Sequence, residues 1–279
     1  MALNAFTRSS TRVRVAAVTV ALAAAGGGLF AAGSASADHS VPRSDKEIPN
    51  LTQVTDKIKA YYGDTVTPSG EHYASPYSSY AKQLASIEKK AERHLDRAAK
   101  KAAQDNSRHG QHGQHGRDAK PAIVLDLDDT TLLTYNYELE VGFHLTPESQ
   151  DEYLKNKDMG PVFGMPELVN RAQSKGITVF FVTGRDEHQR EWSARNLKNA
   201  GYQAAADRAH LYLQNKKTPP SYLPCGSNCT TVEYKAGTRK HIESQGYKIV
   251  ANFGDQYSDL SGGYAEKSVK LPNPMYYLP

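Results

Sequence analysis

The stretch that decides the fold is AIVLDLDDTTLL, Ala122 to Leu133. Four apolar residues, Ala122 to Leu125, run into Asp126, Asp128 and Asp129, and Leu132 and Leu133 then resume the apolar pattern. A short continuous apolar run is the pattern of a strand buried on both faces, as in a parallel sheet covered by helices. Such a strand delivers the residues after it to the edge of the sheet. Carboxylates gathered there repel one another unless a cation sits among them. The stretch reads either as a turn with solvated acids or as part of a metal site.

Around it, Pro121 to Pro279 alternates strands with helices, which predicts an α/β fold with a mostly parallel sheet. Strands are expected at Ala122 to Leu127, Ile177 to Val182, His210 to Leu213, Lys248 to Phe253 and Ser268 to Leu271. Helices are expected at Pro166 to Lys175, Asp186 to Ala200 and Val232 to Gln245, with Gly176, Gly201 and Gly246 as stop signals. Trp192 and Leu197 read as core positions of the second of these helices. In open α/β sheets ligands bind beyond the carboxyl ends of the strands. Three polar clusters should meet there: Asp126, Asp128 and Thr130; Thr183, Gly184 and Arg185; and Gly254, Asp255 and Asp259. Carboxylates from two loops beside a hydroxyl and a glycine amide can hold a hard cation and an anion together. A helix lysine adds a positive charge, Lys235 or its rival Lys240. The combination suits phosphoryl transfer.

The pattern Asp126-x-Asp128-x-Thr130, then Thr183-Gly184-Arg185, Lys235, and Gly254-Asp255 with Asp259, resembles the haloacid dehalogenase (HAD) superfamily of phosphatases. The details VLDLDDTTLL, FFVTGR, YK and GDQYSDL, with an export signal, resemble its secreted acid phosphatases related to plant vegetative storage proteins, subfamily IIIB. The match runs from Pro121 to the C-terminus. It implies a Rossmann-like core, a Mg²⁺ cofactor, an aspartyl-phosphate intermediate and an acidic optimum. Lys235, in the YK motif, is preferred over Lys240 on the same resemblance. The chemistry agrees: Asp126 is placed to attack phosphorus, and Asp128 to protonate the leaving oxygen and then activate water. Asp126, the Asp128 backbone carbonyl and Asp255 would hold Mg²⁺, with Asp259 in support. Thr183, the Gly184 amide and Lys235 would hold phosphoryl oxygens. Arg185 would clamp substrate or pair with acids such as Glu187. Asp129 reads as a turn acid without a chemical role, and Thr130 as a tie within the turn.

Residues 134–162, polar and rich in Tyr, are expected to form a small helical cap, with Glu138 and His144 as candidate leaving-group contacts. Upstream, residues 1–37 read as an export signal: Arg8, Arg12 and Arg14, then the apolar run Val15 to Ala32, then Ala35-Ser36-Ala37. About 240 residues would remain, one medium domain with an extension. Residues 38–104 predict an N-terminal helical extension, with a short helix in LTQVTDKIKAYY and a long one from Tyr77 to Ala103. In the long helix Tyr80, Leu84, Ile87, Ala91, Leu95 and Ala98 form an apolar stripe seeking a partner surface. Residues 105–120, with His109, His112 and His115 among glycines, read as a flexible linker, with metal binding as the competing use.

The net charge of +4 includes the three signal arginines, so the exported chain would be near neutral and gives nucleic-acid binding no support. No membrane anchor is expected after signal cleavage. Cys225 and Cys229, the only two cysteines, predict a local disulfide worth about 2 kcal/mol, with a zinc half-site as the alternative. The function expected is an exported, Mg²⁺-dependent acid phosphatase acting on small phosphomonoesters. A non-catalytic storage or binding protein of the same fold, or a phosphotransferase, are the alternatives.

Overall fold

The computed structural model describes residue 44 and residues 46–112 and 119–278; the expected export signal lies outside them. The sheet at its centre contains β3 (Lys120–Leu125), β6 (Thr178–Asp186), β7 (Leu211–Gln214), β8 (Tyr247–Gly254) and β9 (Ser268–Lys270). Their order is β7-β6-β3-β8-β9, and every neighbouring pair is parallel. The chain moves outward from β3 in one direction through β6 and β7, then returns to its other side for β8 and β9. The reversal falls between β3 and β8, where such sheets open a crevice for ligands.

Burial on both faces explains the apolar runs. In β3, Ile123 and Leu125 enter one hydrophobic cluster while Ala122 and Val124 enter another across the sheet. In β6, Val179 and Phe181 alternate in the same way with Phe180 and Val182. The helices α5 (Met165–Ser174), α6 (Arg190–Asn199) and α7 (Thr231–Ser244) fall where expected, and a short helix that was not expected, α8 (Tyr257–Leu260), follows β8. Helix α6 is preceded by a 3-10 turn, Glu187–Gln189, and it buries Leu197 with Trp192 packed alongside. Gly176, Gly201 and Gly246 all take positive φ just beyond helix ends, where glycine is the residue free of Cβ strain.

Between β3 and α5 the chain forms a short antiparallel pair, β4 (Leu132–Leu133) with β5 (Gly160–Pro161). The expected cap rises from this stem as α3 (Tyr135–Glu140) and α4 (Pro147–Asn156). Helix α4 starts where Thr146 accepts from the Ser149 amide and Pro147 occupies the first turn.

The N-terminal extension holds α1 (Leu51–Tyr62), a hairpin of β1 (Thr65–Val66) and β2 (His72–Tyr73), and α2 (Ser79–His112). Helix α2 runs on to His112, so the tract expected to be a linker from residue 105 onward is helical over 105–112; residues 113–118 lie outside the described residues. Glycine lowers helix propensity, but extending an anchored helix avoids the nucleation cost that stops an isolated one. The anchor is the predicted stripe: Tyr80, Leu84, Ala91 and Leu95 are buried in the same cluster as β3 and β6. His94 reaches the Val250 carbonyl through Nε2 at 2.8 Å, and Arg171 of α5 pairs with Glu92 and Asp96 at 2.9 and 3.0 Å. Tyr62 stacks on Tyr135 of the cap, ring centroids 4.4 Å apart. Extension and sheet therefore share one core. Leu84→Ala should lower unfolding free energy in urea by about 2–5 kcal/mol, the cost of a fully buried leucine; a loss well under 1 kcal/mol would mean that the docking contributes little.

Candidate active site

At the end of β3 the Asp126 amide still donates to the Phe253 carbonyl of β8 at 3.1 Å, which fixes where the carboxylate emerges. The chain then turns tightly. The amides of Thr131 and Leu132 both donate to the Leu127 carbonyl at 2.8 Å, and Asp129 adopts φ 54°, a left-handed conformation that aspartate tolerates better than most residues. The Thr131 hydroxyl closes back on the Asp126 carbonyl at 2.5 Å. This turn holds Asp126 and Asp128 toward the crevice.

The two halves of the site meet as expected. Lys235, in the second turn of α7, donates to Asp126 Oδ1 at 2.5 Å and to Asp259 Oδ1. Lys240 lies on the exposed surface, 5.9 Å from the centroid of the Tyr264 ring. The Thr130 hydroxyl donates to Asp255 Oδ1 at 3.1 Å, so it ties the turn to β8 rather than only to itself. Asp255 Oδ2 also accepts from Gln256 Nε2 and Asn273 Nδ2, at 2.6 and 2.9 Å. Asp259 Oδ2 accepts from the Gln256 amide at 2.8 Å. A Cβ at Gly254 would collide with the Asp259 side chain, which explains the glycine before Asp255.

Arg185 is buried, and its guanidinium turns to Asp128, donating from Nε at 3.1 and 3.2 Å and from Nη2 at 2.5 Å, with Nη1 on the Ser193 hydroxyl at 3.0 Å. Glu187, the other partner considered for it, binds Arg190 and Arg208 instead. Thr183 is buried with its hydroxyl accepting from the Arg185 amide, while a Cβ at Gly184 would meet no atom within 4 Å. Both line a cavity of about 290 Å³ that also contains Asp126, Asp128, Lys235 and Asp255. A side chain at position 184 would enter that space.

Lys235 pairs with Asp126 and Asp259 and Arg185 with Asp128, while Asp129 and Asp255 are held by hydroxyl and amide donors. Burial opposes the charge of Lys235, yet Asp126 and Asp259 outweigh it and raise its pKa. Burial raises the Asp126 pKa far above the usual range; Lys235 opposes this, while Asp259, Asp255 and Asp128 add to it. Asp255 is pushed up to about 8 by burial and then by Asp259 and Asp129. Asp126, Asp255 and Asp259 present carboxylate oxygens within 4.8 Å of one another. A hard, all-oxygen donor set fits a divalent cation such as Mg²⁺, whose charge would keep these carboxyls ionised. Asp126 and Asp259 share the Lys235 ammonium, while Asp255 accepts from the neutral donors Thr130, Gln256 and Asn273.

Asp129 is not a solvated turn acid. It is fully buried and accepts from the Thr134 amide and hydroxyl at 3.1 and 2.6 Å and from the Tyr276 hydroxyl at 2.7 Å. Burial pushes its pKa up to about 7 against these bonds. Tyr276 and Asn273 belong to the C-terminal tail, which the sequence reading did not connect to the site. Nothing in the spacing of LPNPMYYLP marks them: Asn273 meets Asp255, 18 residues upstream, and the Asp129 partner of Tyr276 lies 147 residues upstream. Glu138 of the cap lies in the cavity wall, fully buried, its oxygens without partners, its pKa pushed up to about 9 by burial and then by Asp129 and Asp128. His144 is exposed and lies away from the cavity. Cys225 and Cys229 form the expected disulfide, which removes the zinc alternative.

The chain belongs to the family described as HAD superfamily, subfamily IIIB (acid phosphatase), whose match covers residues 28–279. It is 32% identical over 164 residues to the stem 28 kDa glycoprotein of Glycine max, covering 57% of this chain and 61% of that protein. It is also 32% identical to acid phosphatase 1 of Solanum lycopersicum and to vegetative storage protein 1 of Arabidopsis thaliana. Those matches cover 58% and 56% of this chain and 60% and 55% of the relatives. The matched part thus spans less than two thirds of these relatives' lengths. A class C acid phosphatase from Bacillus anthracis is similar with TM-score 0.46 and 22% identity, over 67% of this chain and 80% of that one.

The acid cluster sets a pH dependence with a definite sign. Asp129, Asp255 and Glu138 have folded-state pKa values raised above their unfolded ones, so the folded state binds more protons and loses stability as pH rises through about 4 to 9. Metal-stripped protein should melt at progressively lower temperature between about pH 5 and 8, and added Mg²⁺ should restore more stability at the upper end than at the lower. Calorimetry at several pH values checks this; a melting temperature that rises with pH in the stripped protein would contradict it.

Proposed function

We propose that the protein is an exported, Mg²⁺-dependent acid phosphatase that hydrolyses small phosphomonoesters through a phosphoaspartate on Asp126. The observation that carries this is the convergence of Asp126, Asp128, Lys235 and Asp255 on one cavity, with Thr183 and Gly184 in its wall. Export is supported by residues 1–37, and among the described residues no helix is long and apolar enough to cross a membrane.

In this reading Asp126 attacks the phosphorus, and the bond to the alcohol oxygen breaks as the bond to its carboxylate oxygen forms. Asp128 gives a proton to the departing oxygen, then takes one from the water that cleaves the acyl phosphate. Arg185 orients Asp128 through two nitrogens rather than clamping the phosphate. Lys235, the Thr183 hydroxyl and the Gly184 amide hold phosphoryl oxygens, and Asp259 positions Lys235. Mg²⁺, held by Asp126, the Asp128 backbone carbonyl and Asp255, would neutralise phosphoryl charge and the carboxylates themselves.

The storage-protein reading has one point in its favour, the relatives of that name. The presence of Asp126 with Lys235 and Asp255 around it favours catalysis.

Asp126→Asn should lose kcat on p-nitrophenyl phosphate by at least about 10³-fold, and Asp128→Asn by about 10²- to 10⁴-fold. Lys235→Ala should lower kcat/KM steeply while Lys240→Ala leaves it unchanged. Chelation should abolish turnover and Mg²⁺ restore it. Equal rates for wild type and Asp126→Asn would sink the mechanism, and turnover insensitive to chelation would remove the metal from it.

A further inference from the structure

Cap helix α4 meets the core at a charged junction on the cavity wall. His188, in the 3-10 turn after β6, brings Nδ1 to 2.6 Å from Asp186 Oδ1 and Nε2 to 2.9 and 2.8 Å from the two oxygens of Asp151 on α4. A carboxylate oxygen only accepts, and a neutral imidazole has one N–H and one lone pair. Both contacts are satisfied together only by the imidazolium.

The surroundings are consistent with that state. From α4, Gln150 and Asp151 receive Gln189 Nε2 at 3.2 and 2.6 Å. Gln189 Oε1 in turn accepts from the Asp186 amide at 3.1 Å. From α6, the Trp192 ring meets the imidazole edge-on, centroids 6.0 Å apart. Among the described residues, Asp151 and Asp186 are the groups in ion-pair contact with His188. Lys216, from the loop after β7, lines the same cavity.

We propose that His188 is a positioning residue, a clasp that ties cap helix α4 to the core through Asp151 and so sets the wall against which the leaving group rests. The proposal deepens the phosphatase reading and rests on it. Burial lowers the pKa of His188, but the bonds to Asp186 and Asp151 and their charges outweigh burial and raise it. The clasp is complete below the unfolded-state value of about 6.5 and is lost as pH rises through the raised folded-state value. The imidazole is 52% exposed, so solvent screens the pair and its loss should change KM by only about 2- to 5-fold.

The test measures kcat and KM for p-nitrophenyl phosphate from about pH 5 to 8 in wild type, His188→Gln, His188→Arg and Asp151→Asn. Alongside, amide hydrogen exchange is followed over residues 147–156 and corrected for its intrinsic pH dependence. Wild-type KM should rise by about 2- to 5-fold across the titration, with α4 losing protection in step. His188→Gln and Asp151→Asn should show the higher KM and the lower protection throughout, while His188→Arg should extend the low-KM range upward. Inhibition by inorganic phosphate, which reports the phosphate end alone, should not change between variants. Superimposable KM–pH curves for wild type and His188→Gln, or α4 protection that ignores both pH and residue 188, would overturn the clasp. If no form of the protein hydrolyses the ester, the phosphatase reading falls and hydrogen exchange still decides the clasp.

Discussion

The buried ammonium of Lys235 between Asp126 and Asp259 is the interaction on which the site depends. A buried charge is costly unless it is paired, and each of these three groups would be unpaired without the others. The contact joins three elements that the sheet merely brings near one another: the end of β3, the second turn of α7 and the short helix after β8. It also gathers Asp126 and Asp259 beside Asp255, with carboxylate oxygens of the three within 4.8 Å of one another. Such a set of oxygen donors can hold a divalent cation, and no single residue type announces it.

Around this centre the chain invests in holding acids still. Asp255 takes three hydrogen bonds, one from the turn, one from its own loop and one from the C-terminal tail. Asp129 occupies a left-handed position and gathers the start of α3 and the tail onto the turn. The cap is therefore sprung from the same turn that carries Asp126 and Asp128. Its far side is fastened by polar contacts between α4 and the turn after β6. Fixed at its root, the cap is held at its edge both by these polar contacts and by Tyr153 and Leu154 of α4, which are buried in the main hydrophobic cluster.

The N-terminal extension is part of the same economy. Its long helix has an apolar stripe but no partner of its own, and burying that stripe on the sheet covers a face that α5 and α6 leave incomplete. Tyr62 reaches the root of the cap through Tyr135, so the extension touches the cap as well as the sheet.

Period, capping and order of motifs were sufficient for the parallel sheet, its longer helices, the α2 stripe and the convergence of Asp126, Thr183 and Asp255, while Lys235 was separated from Lys240 by its resemblance to the family's YK motif. These depend on local patterns: buried parallel strands need apolar runs, and sheets of this winding place strand ends together. Tertiary structure alone decided which way Arg185 turned, that Asp129 was buried rather than solvated, that helix α2 continued through Gly110 to His112, and that Asn273 and Tyr276 completed the site. The placements of Arg185, Asp129, Asn273 and Tyr276 rest on partners distant in the chain, and the length of α2 on the anchoring of its earlier turns. A side chain's residue type limits what it can bond, but only packing determines which of several equally suitable partners comes within reach.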